Sequence, residues 1–362
     1  MSPTPASAPA TRHDAHVAAV AAAPRRTTWR ATILLSIAAA AAVTIIVLAF
    51  LWPVVTASAK NIPLGLVGLE QATAQVAQNL DEHASGVFVT SDYASRDDAV
   101  AAIEHRELYG AIVVGQSPEV LIASAASPAV ATILRGLAQT LQQQVAAQVQ
   151  AAGGNPASVT VAVTDVVPLS SNDQNGQAIA ALGFPIVMGG MIGGILISLL
   201  VAGVTRRLTA LLGYAVIGGA AVTLVLHTWF QVLPGHFAPI ALGIGLGMLG
   251  TASAIVGLNA LIGPRGIAIG AIITMLVGNP ISAAALPALF LVGPWGEIGQ
   301  YFVPGAAATL IRDLCYFPDT DMTRAWVVLA AWAVGGVVLS AVGHFRNREV
   351  VHVPAFEEPA AA

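Results

Sequence analysis

Six apolar runs, at 31–55, 178–204, 208–230, 237–262, 266–292 and 325–343, contain no Asp, Glu, Lys or Arg. A run of about 20 such residues lets a helix cross a hydrocarbon core of about 30 Å. The pattern therefore predicts six transmembrane helices. Between the first two runs the hydropathy falls and the period changes. Residues 62–68 read as a short apolar strand, 70–83 as a helix with apolar residues at helical spacing, and 86–90 as a second strand. Ser95-Arg96-Asp97-Asp98 is a capping-box pattern that opens a helix through Ala99, Val100 and Ile103 to about 108. Strands follow at 109–114 and 120–123, then a long helix from Pro128 to about 152, begun by Ser127 and closed by Gly153-Gly154. A last strand covers 158–167. Alternating strands and helices predict a layered α/β domain. The expected fold class is an α-helical multi-pass membrane protein with six transmembrane helices and an α/β extracytoplasmic domain inserted between helices 1 and 2.

The boundaries follow from the runs. Residues 1–28 read as a disordered cytoplasmic tail, 29–56 as transmembrane helix 1 and 57–177 as the inserted domain. Residues 178–345 form a five-helix transmembrane block with an outer-surface segment at 293–324, and 346–362 a second cytoplasmic tail. The first run has 25 residues, against 7–15 for the apolar part of a signal peptide. It is read as an uncleaved helix despite the small-x-small Ala57-Ser58-Ala59. Arg25, Arg26, Arg30, Arg206, Arg207, Arg265, Arg346 and Arg348 fall on one side of the six-span topology, whereas the loop 227–236 has no Lys or Arg. The positive-inside rule then places both termini in the cytoplasm of a bacterial plasma membrane and the inserted domain outside.

Composition narrows the function. The chain is 56% hydrophobic and 9% charged, with mean hydropathy +0.77, which excludes an ordinary soluble domain. A net charge of −4 gives no basic patch for nucleic acid. The inserted domain is acidic, with four basic residues (Lys60, Arg96, Arg106, Arg135) against eleven Asp and Glu. Cys315 is the sole cysteine, so neither an intrachain disulfide nor a cysteine metal site can form. Lys60 is the sole lysine and lies in no G-x-x-x-x-G-K-[ST], which excludes a P-loop ATPase. No G-x-S-x-G, no H-E-x-x-H and no His–carboxylate set at metal spacing occurs, so no enzyme activity, cofactor or metal is expected. The uncharged runs argue against a proton-coupled antiporter, and His227 reads as interfacial.

Small-xxx-small pairs permit close helix approach. Gly189/Gly193 and Gly190/Gly194 lie in the second run, Gly243/Gly247 in the fourth and Gly266/Gly270 in the fifth. They predict packing within the chain or a dimer seam. Asn279-Pro280 marks a kink or a substrate path in the fifth run, and Thr251, Ser253 and Asn259 add weak polarity to the fourth. Trp295, Tyr301, Phe302, Tyr316 and Phe317 suit the headgroup region and predict one or two short helices on the outer surface. Asp319-Thr320-Asp321 reads as a turn.

Three segments carry a family resemblance. The first runs from Ser95-Arg96-Asp97-Asp98-Ala99-Val100 to Tyr109-Gly110-Ala111-Ile112-Val113-Val114. The second runs from Asp165-Val166-Val167-Pro168-Leu169 through Asn172-Asp173 to Gly189-Gly190. The third runs from Gln300-Tyr301-Phe302-Val303-Pro304-Gly305-Ala306 to Leu310-Ile311-Arg312, with Ala331-Trp332 beyond. In this order, over about residues 30–345, the chain resembles the ABC-2 type transporter permease superfamily, in its phage-infection-protein-like exporter branch. The resemblance implies the permease subunit of an exporter for an amphipathic or lipid-like compound. It also implies a homo- or heterodimer of permease chains in membrane lipid, driven by a separate nucleotide-binding ATPase. Arg206 and Arg207 would form the ATPase-coupling loop, although that loop is short for the family, so the segment before Ala31 would share the contact. The alternative is a non-transporting envelope receptor or scaffold that presents the extracytoplasmic domain.

Overall fold

A computed structural model describes residues 27–346 except Gln116, Pro156, Ser158 and Val159. The expected tails lie outside the described residues, apart from residues 27, 28 and 346, and so does part of the strand expected from 158. The first element among the described residues is helix α1, Trp29–Val55, which is apolar after Arg30 and carries Pro53 near its end.

A mixed five-stranded sheet follows, with order β2-β1-β3-β4-β5. Its elements are β1 (Ile62–Val67), α2 (Glu70–His83), β2 (Phe88–Tyr93), α3 (Arg96–Glu104), β3 (Gly110–Val113), β4 (Glu119–Ile122), α4 (Pro128–Ala151) and β5 (Ala162–Asp165). β1 runs parallel to β2 and β3, β3 antiparallel to β4, and β4 parallel to β5. Strand alternation sorts the core into two layers. Ile62, Leu64, Leu66, Ile112, Val120 and Ile122 meet Leu80 of α2 and Leu134 of α4 on one face. On the other, Val67, Ala111 and Leu121 meet Ala99, Ala102 and Ile103 of α3. The cap predicted at Ser95 forms, its Oγ accepting from Asp98 N–H at 3.1 Å. Arg96 binds Glu119 through two bonds (2.7 and 3.1 Å) and Thr164 adds a third at 2.5 Å, which together hold the Glu119 carboxyl below the usual range.

The helical part begins with α5 (Gln177–Ala181) and α6 (Gly183–Leu200). It continues with α7 (Val204–Thr223), prolonged by a π-helical turn at Leu224–Trp229, and with α8 (Phe237–Ile262). Next come α9 (Pro264–Ala271), α10 (Trp295–Gly299), α11 (Val303–Tyr316) and α12 (Thr323–Phe345). Among the described residues, five helices are long and apolar enough to cross a membrane: Trp29–Val55, Gln177–Leu200, Val204–Trp229, Phe237–Ile262 and Thr323–Phe345.

The expectation of six such helices needs correction at the fifth run. There, α9 and a π-helical stretch make one short apolar helix, Pro264–Gly278, and the chain then turns irregular. At 1.5 Å per residue this helix falls short of a hydrocarbon core of about 30 Å. Pro280 supplies no N–H to prolong it, and Ala283 (φ +54°), Pro287 and Gly293 (φ +60°) prevent its resumption. The 293–324 segment forms two short helices, α10 and α11, as expected. Eleven of the fourteen residues of α11 are buried, against α6, α8 and α12.

Helix α8 is the hub. α6, α7, α9, α11 and α12 all pack on it, and sixteen of its residues are buried. Glycines permit the close approach that lipid-exposed helices need where no hydrophobic force distinguishes protein from solvent. A Cβ on Gly194 would stand 2.9 Å from Ala252 Cα, and one on Gly190 2.7 Å from Thr251 Cβ. On α12, a Cβ at Gly336 would overlap the Ser253 backbone and reach Ala254 N at 2.6 Å, whereas Gly335 beside it faces open space. Gly336→Val should therefore lower stability by about 1–3 kcal/mol, and Gly335→Val should not. Thermal unfolding of both variants in detergent checks this; equal midpoints would remove the close α8–α12 contact from the account.

Candidate functional site

The helices and the sheet domain meet at a joint built by the end of α3 and the end of α11. Helix α3 closes in a Schellman turn: Glu107 N–H donates to Ala102 O (2.9 Å) and Arg106 N–H to Ile103 O (3.0 Å). The left-handed position of that turn normally holds glycine, but here it holds Arg106, with φ +62°. A side chain there costs about 1–2 kcal/mol, and such outliers cluster where the side chain has work to do.

The Arg106 guanidinium forms an ion pair with Asp313 of α11 and lies 5.2 Å from the Phe317 ring centre. Phe317 follows α11, is fully buried, and belongs to the α3-side core of the sheet. Its N–H bonds to Asp313 O at 2.8 Å, so the plug and the carboxylate are set by one turn of chain. Thr320 Oγ1 donates to His105 O (3.0 Å), and His105 Nδ1 lies 3.1 Å from Asp319 O. Burial lifts the Asp313 carboxyl above the usual carboxylate range, and Arg106 and, less strongly, Arg312 oppose that shift. Burial also pushes the Cys315 thiol up to about 12, which leaves it no thiolate for nucleophilic chemistry near neutrality.

The opposite face of the sheet receives a second plug. Phe290, from the 3₁₀ turn Ala288–Phe290, enters the core beneath α2 and α4. Ser58 N–H bonds to Phe290 O (3.1 Å) and Lys60 Nζ to Leu291 O (2.8 Å), which gives the sole lysine a structural task.

A cavity of about 270 Å³ lies at the joint, lined in part by Arg106, Tyr109, Gln300, Arg312, Asp313 and Arg324. Gln300 braces its wall, donating to Ser282 O (3.0 Å) and accepting from Thr309 Oγ1 (2.6 Å). Arg312 donates through Nη2 to Ala284 O (2.9 Å), while its buried Nε–H has no acceptor. A second, apolar groove of about 410 Å³ runs between α2 and α4, walled by Val76, Leu80, Leu137, Leu141 and Val145 and rimmed by Gln75 and Asn79.

The residues singled out in the sequence have other surroundings. Arg206 is exposed, but Arg207 is buried, with Nε on Val201 O (2.6 Å) and Nη2 on Ser198 O (2.8 Å). It caps the carbonyl end of α6 and is not a free docking charge. Gly189 and Gly193 face Met248 and Tyr214, and Gly190 and Gly194 face Thr251 and Ala252, all in this chain. The four glycines thus form an intrachain helix seam. Asn279 and Pro280 end a helix rather than kink one and line a cavity of about 220 Å³ with Phe50, Pro53 and Phe184. His227 is tied to Leu233 O at 2.8 Å. Asp321 Oδ1 accepts from Thr323 N–H (2.9 Å), which makes the expected turn the start of α12. Among the described residues, no group of three or more His, Cys, Asp or Glu could hold a metal ion. The reading by motif passed over Arg106, Asp313 and Phe290. Adjacent Arg312 and Asp313, the only charges in α11, were the available signal.

These elements define a class: a multi-pass membrane protein with an α/β domain inserted after its first long apolar helix. Compared with family models, curated proteins and solved structures, the chain matches none of them.

Removing one partner of a buried ion pair strands the other charge, at about 3–5 kcal/mol. Asp313→Ala and Arg106→Ala should each lower the unfolding midpoint, and the double variant should lose much less than the sum. An additive double-mutant cycle would show that the pair does not fasten the joint.

Proposed function

We propose that the chain is the membrane-spanning permease subunit of an ABC-2-like exporter, moving an amphipathic or lipid-like compound with energy from a separate ATPase. One observation carries the reading. The sheet domain is pinned to the helices on both faces, by Phe290 and Phe317, with the Arg106–Asp313 pair between α3 and α11. A displacement of α11 is thereby delivered to the domain as a rigid-body movement, as a transporter that couples its helices to an outer domain requires.

Three features support it. The long apolar helices carry charges only near their ends, at Arg30, Arg206, Arg207 and Arg324, so an acidic proton relay has no residues to use. The chain has no phosphate-binding lysine loop, so ATP must be hydrolysed elsewhere. The apolar groove between α2 and α4 is of a size and lining suited to part of an amphipathic molecule. In this reading the protein sits in a bacterial plasma membrane as a dimer, with both termini cytoplasmic and the sheet domain outside. Arg206 is the exposed contact for the ATPase.

The test is affinity purification of the full chain from its own cells in mild detergent. An ATPase should co-purify, Arg206→Glu should weaken that association about tenfold or more, and export of amphipathic compounds by membrane vesicles should require ATP. Export that continues without ATP, or a chain purified with no ATPase, would refute the exporter. The second result would favour a receptor or scaffold that displays the domain.

A further inference from the structure

The cavity at the joint holds a charge imbalance that the transport reading does not use. Three guanidinium groups line it, from Arg106, Arg312 and Arg324, against the carboxylates of Asp313 and Asp321. Asp313 is taken by Arg106. Asp321 is exposed and already accepts from Thr323 N–H. Arg324 is exposed, with its guanidinium 4.7 Å from the Tyr301 ring centre. Arg312 alone is buried, at 8% exposure, without an ion-pair partner of its own, and its Nε–H finds no acceptor in the protein. A buried cation with no ion pair of its own is costly to keep, and an anion entering the cavity would relieve that cost.

We propose that this cavity is an oxyanion site, in which Arg312, with Arg106 and Arg324 at the wall, binds a phosphate or carboxylate group. A guanidinium presents paired N–H donors that match such a group in a forked geometry. At about 270 Å³ the cavity admits a headgroup rather than a whole lipid, and Leu286, Pro287 and Met322 supply an apolar wall for the carbon that bears it. The Arg312 guanidinium is held down to about 10, chiefly by burial and then by Arg106, against the pull of Asp313; an arriving anion reverses that balance. The inference rests on the cavity alone and stands whether or not the chain exports anything.

The purified full chain in a neutral detergent supplies the test, because a ligand that binds only the folded state raises its unfolding midpoint. Inorganic phosphate, acetate and a short-chain anionic phospholipid are titrated separately, with chloride at matched ionic strength and a zwitterionic phospholipid as controls. At least one oxyanion should raise the midpoint by several degrees where the controls do not. A rise with inorganic phosphate or acetate assigns a free anion, and a rise with the anionic lipid alone assigns a headgroup. Arg312→Gln should weaken binding at least tenfold, while Arg312→Lys keeps a reduced rise and Arg324→Gln most of it. In anion-free buffer Arg312→Gln should be as stable as the wild type or more so, an order that the oxyanion inverts. A midpoint that ignores every oxyanion, that responds equally to chloride, or that rises as much in Arg312→Gln as in the wild type would overturn the site.

Discussion

A half-buried guanidinium and a buried carboxylate brought together at the Arg106–Asp313 contact set the terms for the rest of the molecule. Burying the carboxylate costs several kcal/mol, which attraction to a partly exposed guanidinium repays only in good geometry. Cohesion at the joint therefore comes from elsewhere. Phe317 and Phe290, each worth about 1.5–3 kcal/mol when buried, enter the two faces of the sheet. The ion pair contributes alignment. Only when α3 stops at its left-handed residue and α11 stops at Phe317 do the two charges meet, so the pair selects one seating of the domain among the many that two apolar plugs would tolerate.

The helical block obeys a different constraint. Lipid is as apolar as leucine, so its helices gain little by hiding hydrophobic side chains from one another. They gain by close contact, and the glycines of α6, α8 and α12 permit it. The exposed large side chains of α7 and α12, among them Val216, Ile217, Val334 and Val338, point away from these seams as a lipid-facing surface would. Several polar groups inside the block bond locally: Thr223 Oγ1 to Gly219 O at 2.7 Å, Ser340 Oγ to Gly336 O at 3.0 Å, and Arg207 to the end of α6. Ser198 Oγ, Thr251 Oγ1 and both ends of the Asn259 amide are exceptions, buried with no protein partner.

What the sequence made legible was local. Helices 70–83 and 237–262 and the strand from Ile62 announce themselves by periodicity and by their ends, and they fold as expected. The fifth apolar run misleads because hydropathy counts side chains, whereas Pro280 and Ala283 act through backbone geometry. Phe317 and Tyr316 have the composition of an interfacial belt, yet one is a core residue of the sheet domain and the other bonds through its hydroxyl to Ser170 N–H (3.2 Å). Arg207 counts as an inside-facing charge in any tally of basic residues, and its two carbonyl partners are invisible to that tally. The candidate site was the least legible part, since Arg106 and Asp313 lie 207 positions apart. The positive φ that aims Arg106 leaves no trace in a pattern of apolar and polar letters.

The two plugs also limit how the domain can move. Phe290 and Phe317 enter opposite faces of one sheet from chain segments on either side of α10, so a tilt that withdraws one drives the other deeper. Closely packed cores do not deform continuously. The domain must then either remain seated or shift with α11 and the 3₁₀ turn as one piece. The cavity between them would change shape in the second case, because Ala288 from the turn and Arg312 from α11 both line it. Arg106 from the end of α3 and Arg312 from α11 line that cavity alike, so a change of charge within it would bear on both sides of the joint.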